Sequence, residues 1–175
     1  MDKASICAVC IGSAAAITFT MTGIAPFDVV YTDGSNFFSV EGITSNDTTF
    51  NVFPSSDVTY SLVSVTSVNG CTDTPTGQSV SVQVDAMPMP DAGEDDITCW
   101  ELIDTYQLTG STDIGNTIWT FDGPGMATFS DATALNPTLQ VDAYGTYSFI
   151  LSSTNNTCTN ADTVEVDFNE YPTAI

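Results

Sequence analysis

Apolar and polar residues alternate along most of this chain. Ile17, Phe19 and Met21 are interleaved with Thr18, Thr20 and Thr22, the period-two mark of a strand with one buried face. The same rule predicts strands at 27–32 and 36–40, joined around Asp33-Gly34, a strong hairpin signal. It predicts further strands at 48–52, 59–68 and 79–84, with Pro54, Asn69-Gly70 and the Thr/Pro/Gly loop 74–77 as breaks. Residues 86–90, Ala-Met-Pro-Met-Pro, read as a short linker stiffened by two prolines. Beyond it the second domain opens with 91–99, and strands follow at 105–108, 117–121, 127–130 and 138–141, with Gly123-Pro124-Gly125 as a turn. Thr and Val dominate these runs, which favours strand over helix, and no 3.6-residue apolar stripe interrupts them.

The pattern occurs twice. YSLVSVTSVNGC, residues 60–71, aligns without a gap on YSFILSSTNNTC, residues 147–158. Val80, Val82 and Val84 lead to Pro88 as Val164, Val166 and Phe168 lead to Pro172. A repeat of about 85–90 residues is the size of one small domain rather than of a solenoid unit. The expectation is an all-β chain of two tandem immunoglobulin-like (PKD-like) β-sandwich domains, 1–87 and 88–175. The run Asp142-Ala143-Tyr144-Gly145-Thr146-Tyr147 suggests a tyrosine corner, and Trp119 is the expected core tryptophan of the second domain, with Trp100 more exposed.

Charge narrows the function classes. The 22 acids face one base, Lys3, with no Arg and no His, for a formal charge of −21. Nucleic-acid binding needs clustered Lys and Arg, and attraction to anionic lipid needs the same, so neither partner is expected. No apolar run approaches the roughly 20 residues of a membrane-spanning helix. With 42% hydrophobic residues the chain is not of the disordered acidic type.

Cys10 and Cys71 are 61 residues apart, and Cys99 and Cys158 are 59 apart, in equivalent places of the two halves. Matched spacing suggests one disulfide per domain, Cys10–Cys71 and Cys99–Cys158, and an oxidising, extracellular setting. Zinc is disfavoured, since no second CxxC accompanies Cys7-Ala8-Val9-Cys10 and there is no His. Cys7 is left over, either competing with Cys10 for Cys71 or staying free. Lys3, the apolar run 6–11 and Ser13-Ala14-Ala15-Ala16 mimic a secretion signal, but the run is short and the repeat needs Cys10 inside the first domain. The end, Tyr171-Pro172-Thr173-Ala174, repeats the linker, which suggests a piece of a longer secreted protein.

Candidate chemistry is sparse. Paired carboxylates could serve glycoside hydrolysis, but coincidental pairs are unavoidable among 22 acids, and no His or Arg supports them. No catalytic residue is expected. Phe37, Phe38 and Trp100 are candidate sugar-stacking aromatics, and one of the two adjacent phenylalanines must face outward on a strand. Asn46-Asp47-Thr48 and Asn155-Asn156-Thr157 match the N-glycosylation pattern; Asp47-Thr48-Thr49 and Asp162-Thr163-Val164 resemble the O-glycosylated sites of related secreted proteins. Asp85, Asp91, Glu94, Asp95 and Asp96 crowd the domain junction in sequence; gathered in space they would hold calcium, and left apart they form a solvated acidic loop. No other cofactor is expected.

The segments CIGSAAAITFTMTGIAPFDVVYTDG, TYSLVSVTSVNGC, PDAGEDDITCW, GPGMATFSD and YGTYSF together resemble the Ig-like or PKD-like repeats of very large surface adhesins in Bacteroidetes, including gliding-motility adhesins exported by type IX secretion. The resemblance runs from Cys10 to Pro172 and implies an extender role at the cell surface. Its expected partners are neighbouring repeats of the same chain, with copies of itself or surface glycans as alternatives. The extra Cys7 departs from the pattern.

Overall fold

The computed structural model describes residues 6–102 and 104–173. The chain divides into two compact units, Met1–Asp85 and Ala86–Ile175. Among the described residues the regular structure is all strand.

The first unit contains β1 (Ile6–Cys10), β2 (Ala15–Thr20), β3 (Phe27–Thr32), β4 (Phe37–Ile43), β5 (Asp47–Val52), β6 (Val58–Ser67), β7 (Thr72–Asp73) and β8 (Ser79–Asp85). One sheet runs β1-β8-β6-β3-β4, with β7 added to β6; the other is the pair β2-β5. The inward residues come from alternate positions: Ala15 and Ile17 on β2, Phe27, Val29 and Tyr31 on β3, Tyr60 on β6, Val82 on β8. That alternation is what the period of a strand dictates when one face meets another sheet. The Asp33-Gly34 hairpin forms as its chemistry demands. Asp33 Oδ1 accepts the amides of Ser35 at 2.8 Å and Asn36 at 2.6 Å, and Oδ2 accepts Asn36 Nδ2 at 3.1 Å. Gly34 takes φ +92°, a left-handed conformation costly for other residues.

The hydrogen bonds from Asn36, backbone and side chain, and then from the Ser35 amide hold the Asp33 carboxyl below its ordinary value of 3.8. A carboxylate whose folded pKa is depressed contributes stability that is present above the unfolded pKa and is lost as pH falls through the folded one. Carboxyl-detected NMR titration should place the Asp33 midpoint below that of the same residue in a 30–39 peptide. Equal midpoints would mean the turn is not formed in solution.

The second unit contains β9 (Asp96–Trp100), β10 (Tyr106–Gln107), β11 (Asn116–Asp122), β12 (Ala127–Phe129), β13 (Thr138–Val141), β14 (Gly145–Asn155) and β15 (Cys158–Glu170). Its sheets are β11-β14-β15-β9 and β10-β13-β12. Between them lies a core of Trp119, Leu139, Val141, Tyr147, Phe149, Leu151, Val164, Val166 and Phe168. Trp119 is core as expected, its indole N–H donating to the carbonyls of Ala134 at 3.1 Å and Leu135 at 3.3 Å. The tyrosine corner is present: Tyr147 Oη donates to the Ala143 carbonyl at 3.1 Å. Trp100 is half-buried, edge-on to Tyr106 and Phe168.

Each unit is an immunoglobulin-like sandwich, and in each the first strand runs parallel to the last. β1 pairs with β8 with Cys10 beside Asp85, and β9 pairs with β15 with Cys99 beside Asn169. Within the signal-like run 6–11, residues 6–10 therefore supply an integral strand of the first sheet. Lys3 and Ala174 lie outside the described residues.

Candidate functional site

The most built feature outside the two cores is the seat of the linker on the second domain. Asn155 Nδ2 donates to the Ala86 carbonyl at 2.9 Å, and Asn160 Nδ2 donates to the Pro88 carbonyl at 3.0 Å. The Met89 amide donates to Asp113 Oδ1 at 2.8 Å, and the Ala92 amide donates to Asp162 Oδ2 at 2.8 Å. Asp91 and Ser111 exchange both backbone hydrogen bonds at 2.8 Å. Pro88 and Ala92 are fully buried, Ala92 within the core of the second domain. Gly93 has φ +92°, and a Cβ there would stand 2.9 Å from the Thr109 carbonyl oxygen. A pair of proline residues makes the segment stiff; these side chains then fasten it to one end of the sandwich.

Replacing Asp162 by Ala removes the acceptor for the Ala92 amide, which sits on a buried residue. Leaving such a donor unsatisfied costs about 1–3 kcal/mol. Chemical denaturation of the second domain should report that loss, and protease access at residues 87–93 should rise. A variant that unfolds like the wild type and keeps the linker protected would show that the Asp162 bond is incidental.

The carboxylates expected to share a cation are engaged separately. Asp91 Oδ1 accepts the Gly93 amide at 2.9 Å, Asp95 Oδ1 accepts the Glu165 amide at 2.8 Å, and Asp96 Oδ2 accepts the Tyr106 hydroxyl at 2.8 Å. Glu94 is exposed. Asp85 is buried and accepts Gln83 Nε2 at 3.0 Å. Among the described residues no three His, Cys, Asp or Glu side chains are grouped to hold a metal. Burial first, and then the Asp96 hydrogen bond, push the Tyr106 phenol well above the ordinary tyrosine range.

The cysteines differ from the expected pairing. Cys10 and Cys158 are disulfide-bonded, whereas Cys7, Cys71 and Cys99 are free. Neither Cys10–Cys71 nor Cys99–Cys158 is formed, and strand direction is the reason. Cys99 lies beside Asn169, eleven residues along β15 from Cys158. At about 3.3 Å per residue that is roughly 36 Å, against the about 4.4–6.8 Å a disulfide allows between Cα atoms. In the first domain Cys10 lies beside Asp85 at the end of β8, while Cys71 follows β6 at the other end of the sheet, where its carbonyl accepts the Ser67 amide. Parallel first and last strands put these two cysteine positions at opposite poles of each sandwich.

The candidate sugar-stacking aromatics separate. Phe37 is 72% exposed and is the outward residue of its pair; Phe38 stacks on Tyr31 with ring centroids 5.1 Å apart. Trp100 packs into the second core, and its indole nitrogen is buried rather than turned to solvent. Asn46 Nδ2 is tied to the Met21 carbonyl at 3.0 Å, and Asn155 is committed to the linker.

Neither a known protein family nor a curated protein matches the sequence. Solved structures match the chain at low identity. The fibronectin(III)-like modules of Clostridium thermocellum CbhA are 14% identical, with a TM-score of 0.43 over 94% of this chain and 90% of that one. The I-band fragment I67–I69 of titin is 14% identical, with a TM-score of 0.46; the match covers 94% of this chain and 63% of the titin fragment. The titin domains Z1Z2, in complex with telethonin, are 18% identical, with a TM-score of 0.40 over 95% and 94% of the two chains. Among the described residues no helix is long and apolar enough to cross a membrane.

Proposed function

We propose that this pair of domains is a non-catalytic spacer in a large secreted surface adhesin or filament, of the kind found in Bacteroidetes and exported by type IX secretion. Its task is to hold a distal part of the parent protein away from the cell and to bear tension. The observation that carries the reading is the linker seat. Four side chains, Asn155, Asn160, Asp113 and Asp162, bind the backbone of residues 86–92 to the second domain. A connector used only as a tether would need no such fastening; one that sets spacing does.

Disulfide-bonded cysteines suit an oxidising, extracellular location. The dense negative surface keeps such repeats soluble. The partners are neighbouring repeats of the same parent chain. Glycan binding through the exposed Phe37 is the reading a ligand screen would reveal. The test is a glycan array run with wild type and Phe37→Ala beside scattering measurements of length. Fixed length with no glycan retained supports the spacer. Retention that disappears in Phe37→Ala would replace it with a carbohydrate-binding module.

A further inference from the structure

The two domains present opposite ends in opposite states. In the second domain the turn cysteine, Cys158, is buried and disulfide-bonded, at the pole where the linker segment is seated. Its twin in the first domain, Cys71, is exposed and free. The first-strand cysteine of the first domain, Cys10, is disulfide-bonded, and its twin Cys99 is exposed and free.

The pole around Cys71 is also open. A cleft of about 910 Å³ runs there, lined by Cys7, Met21, Phe27, Leu62, Val65 and Cys71 among others. The matching region of the second domain is filled. The pairings of β2 with β5 and of β10 with β13 align Ile17 with Tyr106, and so Thr20–Thr22 with residues 109–111. Against 109–111 lie Asp91, bridged to Ser111, and Gly93, packed on Thr109. Thr20, Met21 and Thr22 instead line the cleft. Packing reflects the difference: Phe149 is fully buried, whereas its counterpart Leu62 is half-buried. Beyond the last strand of the second domain, Pro172 follows Phe168 at the step by which Pro88 follows Val84. Pro88 is buried and Pro172 is exposed.

We propose that the open pole of the first domain receives the Cys99 end of a second copy of this chain, and that Cys71 and that copy's Cys99 form a disulfide. The cleft takes the segment around Pro172 as the second domain takes the segment around Pro88. This deepens the spacer reading and rests on it: joining is head to tail, so copies extend a filament rather than close a dimer. The covalent step is thiol–disulfide exchange. With glutathione disulfide as oxidant, the Cys71 thiolate attacks one glutathione sulfur and expels a glutathione thiolate. The Cys99 thiolate then attacks the Cys71 sulfur and expels the second. Two protein thiols become one disulfide and one glutathione disulfide becomes two glutathiones.

The experiment incubates the full chain with glutathione disulfide and reads non-reducing gels and peptide maps. Wild type should give a ladder whose bridging peptides join Cys71 to Cys99. Cys71→Ser alone and Cys99→Ser alone should each stop at monomer. Mixed together they should give dimer and nothing larger, because each supplies one competent end. Pro172→Asp, at an exposed position, should slow ladder growth at least several-fold while leaving the fold intact by circular dichroism. Cys71–Cys71 or Cys99–Cys99 bridges, a Cys7–Cys71 bridge within one copy, or a chain that stays monomeric would each overturn the docking. None of these would touch the spacer reading, which stands or falls on its resistance to force.

Discussion

Replacing Trp119 by alanine should cost the second domain about 3–5 kcal/mol, the usual penalty for emptying a large buried aromatic site. The indole is 2% exposed and fills the space between the two sheets. It also donates to the carbonyls of Ala134 and Leu135, which would lose their partner. For a domain of this size each kcal/mol moves the melting temperature by about 4–8 °C, so the shift should exceed about 12 °C. Because the first domain has a core of its own, around Phe27, Val29 and Tyr31, the damage should stay local. Hydrogen exchange resolved by peptide checks both halves of the expectation. Protection should fall throughout 106–168 and hold in 15–67. Equal loss in both halves would mean that the two sandwiches do not fold as separate units.

The second large effect is expected at Gly123. A Cβ there would overlap the ring of Tyr147, with Cε1 and Cγ both at 2.7 Å. The ring cannot retreat. Its hydroxyl is tied to Ala143, and its faces meet Phe149, stacked at 5.9 Å, and Phe168, edge-on at 5.7 Å. Overpacking of this kind costs about 1–3 kcal/mol, and a ring pinned at both ends places Gly123→Ala at the upper limit. Denaturant unfolding gives the loss directly. The double variant Gly123→Ala/Tyr147→Leu makes room for the methyl group, so its loss of stability should be smaller than the sum of the two single losses. Simple additivity would show that the clash is relieved elsewhere.

Much of this architecture is legible in the alternation of side chains. Ile17 and Phe19 mark β2, and the hairpin follows from Asp33-Gly34, because in both cases local chemistry and the final packing agree. Trp119 and the tyrosine corner are likewise readable, since each is a local pattern with one structural outcome. The first strand is not. Residues 6–10 form a short apolar run whose pairing with β8 is set by the far end of the domain, seventy-odd residues on. The cysteine error has the same origin. Equal spacing shows that Cys10 corresponds to Cys99 and Cys71 to Cys158; equivalence of position is not partnership. Only the parallel direction of first and last strands reveals that the paired expectation spans a whole sandwich. The acids at 91–96 are close in sequence, yet Asp91, Asp95 and Asp96 are each taken by a different neighbour, which sequence proximity alone does not show.

Force on single molecules tests the spacer account most directly. A reduced sample held by its two ends and stretched should show two separate unfolding events. Each should release about 280–300 Å of contour, the extended length of about 85 residues at roughly 3.3–3.6 Å each. The second domain, with the larger closed core, should yield at the higher force, and Trp119→Ala should lower that event alone. One merged event, or smooth extension without a force peak in either domain, would contradict a spacer built from two tension-bearing sandwiches.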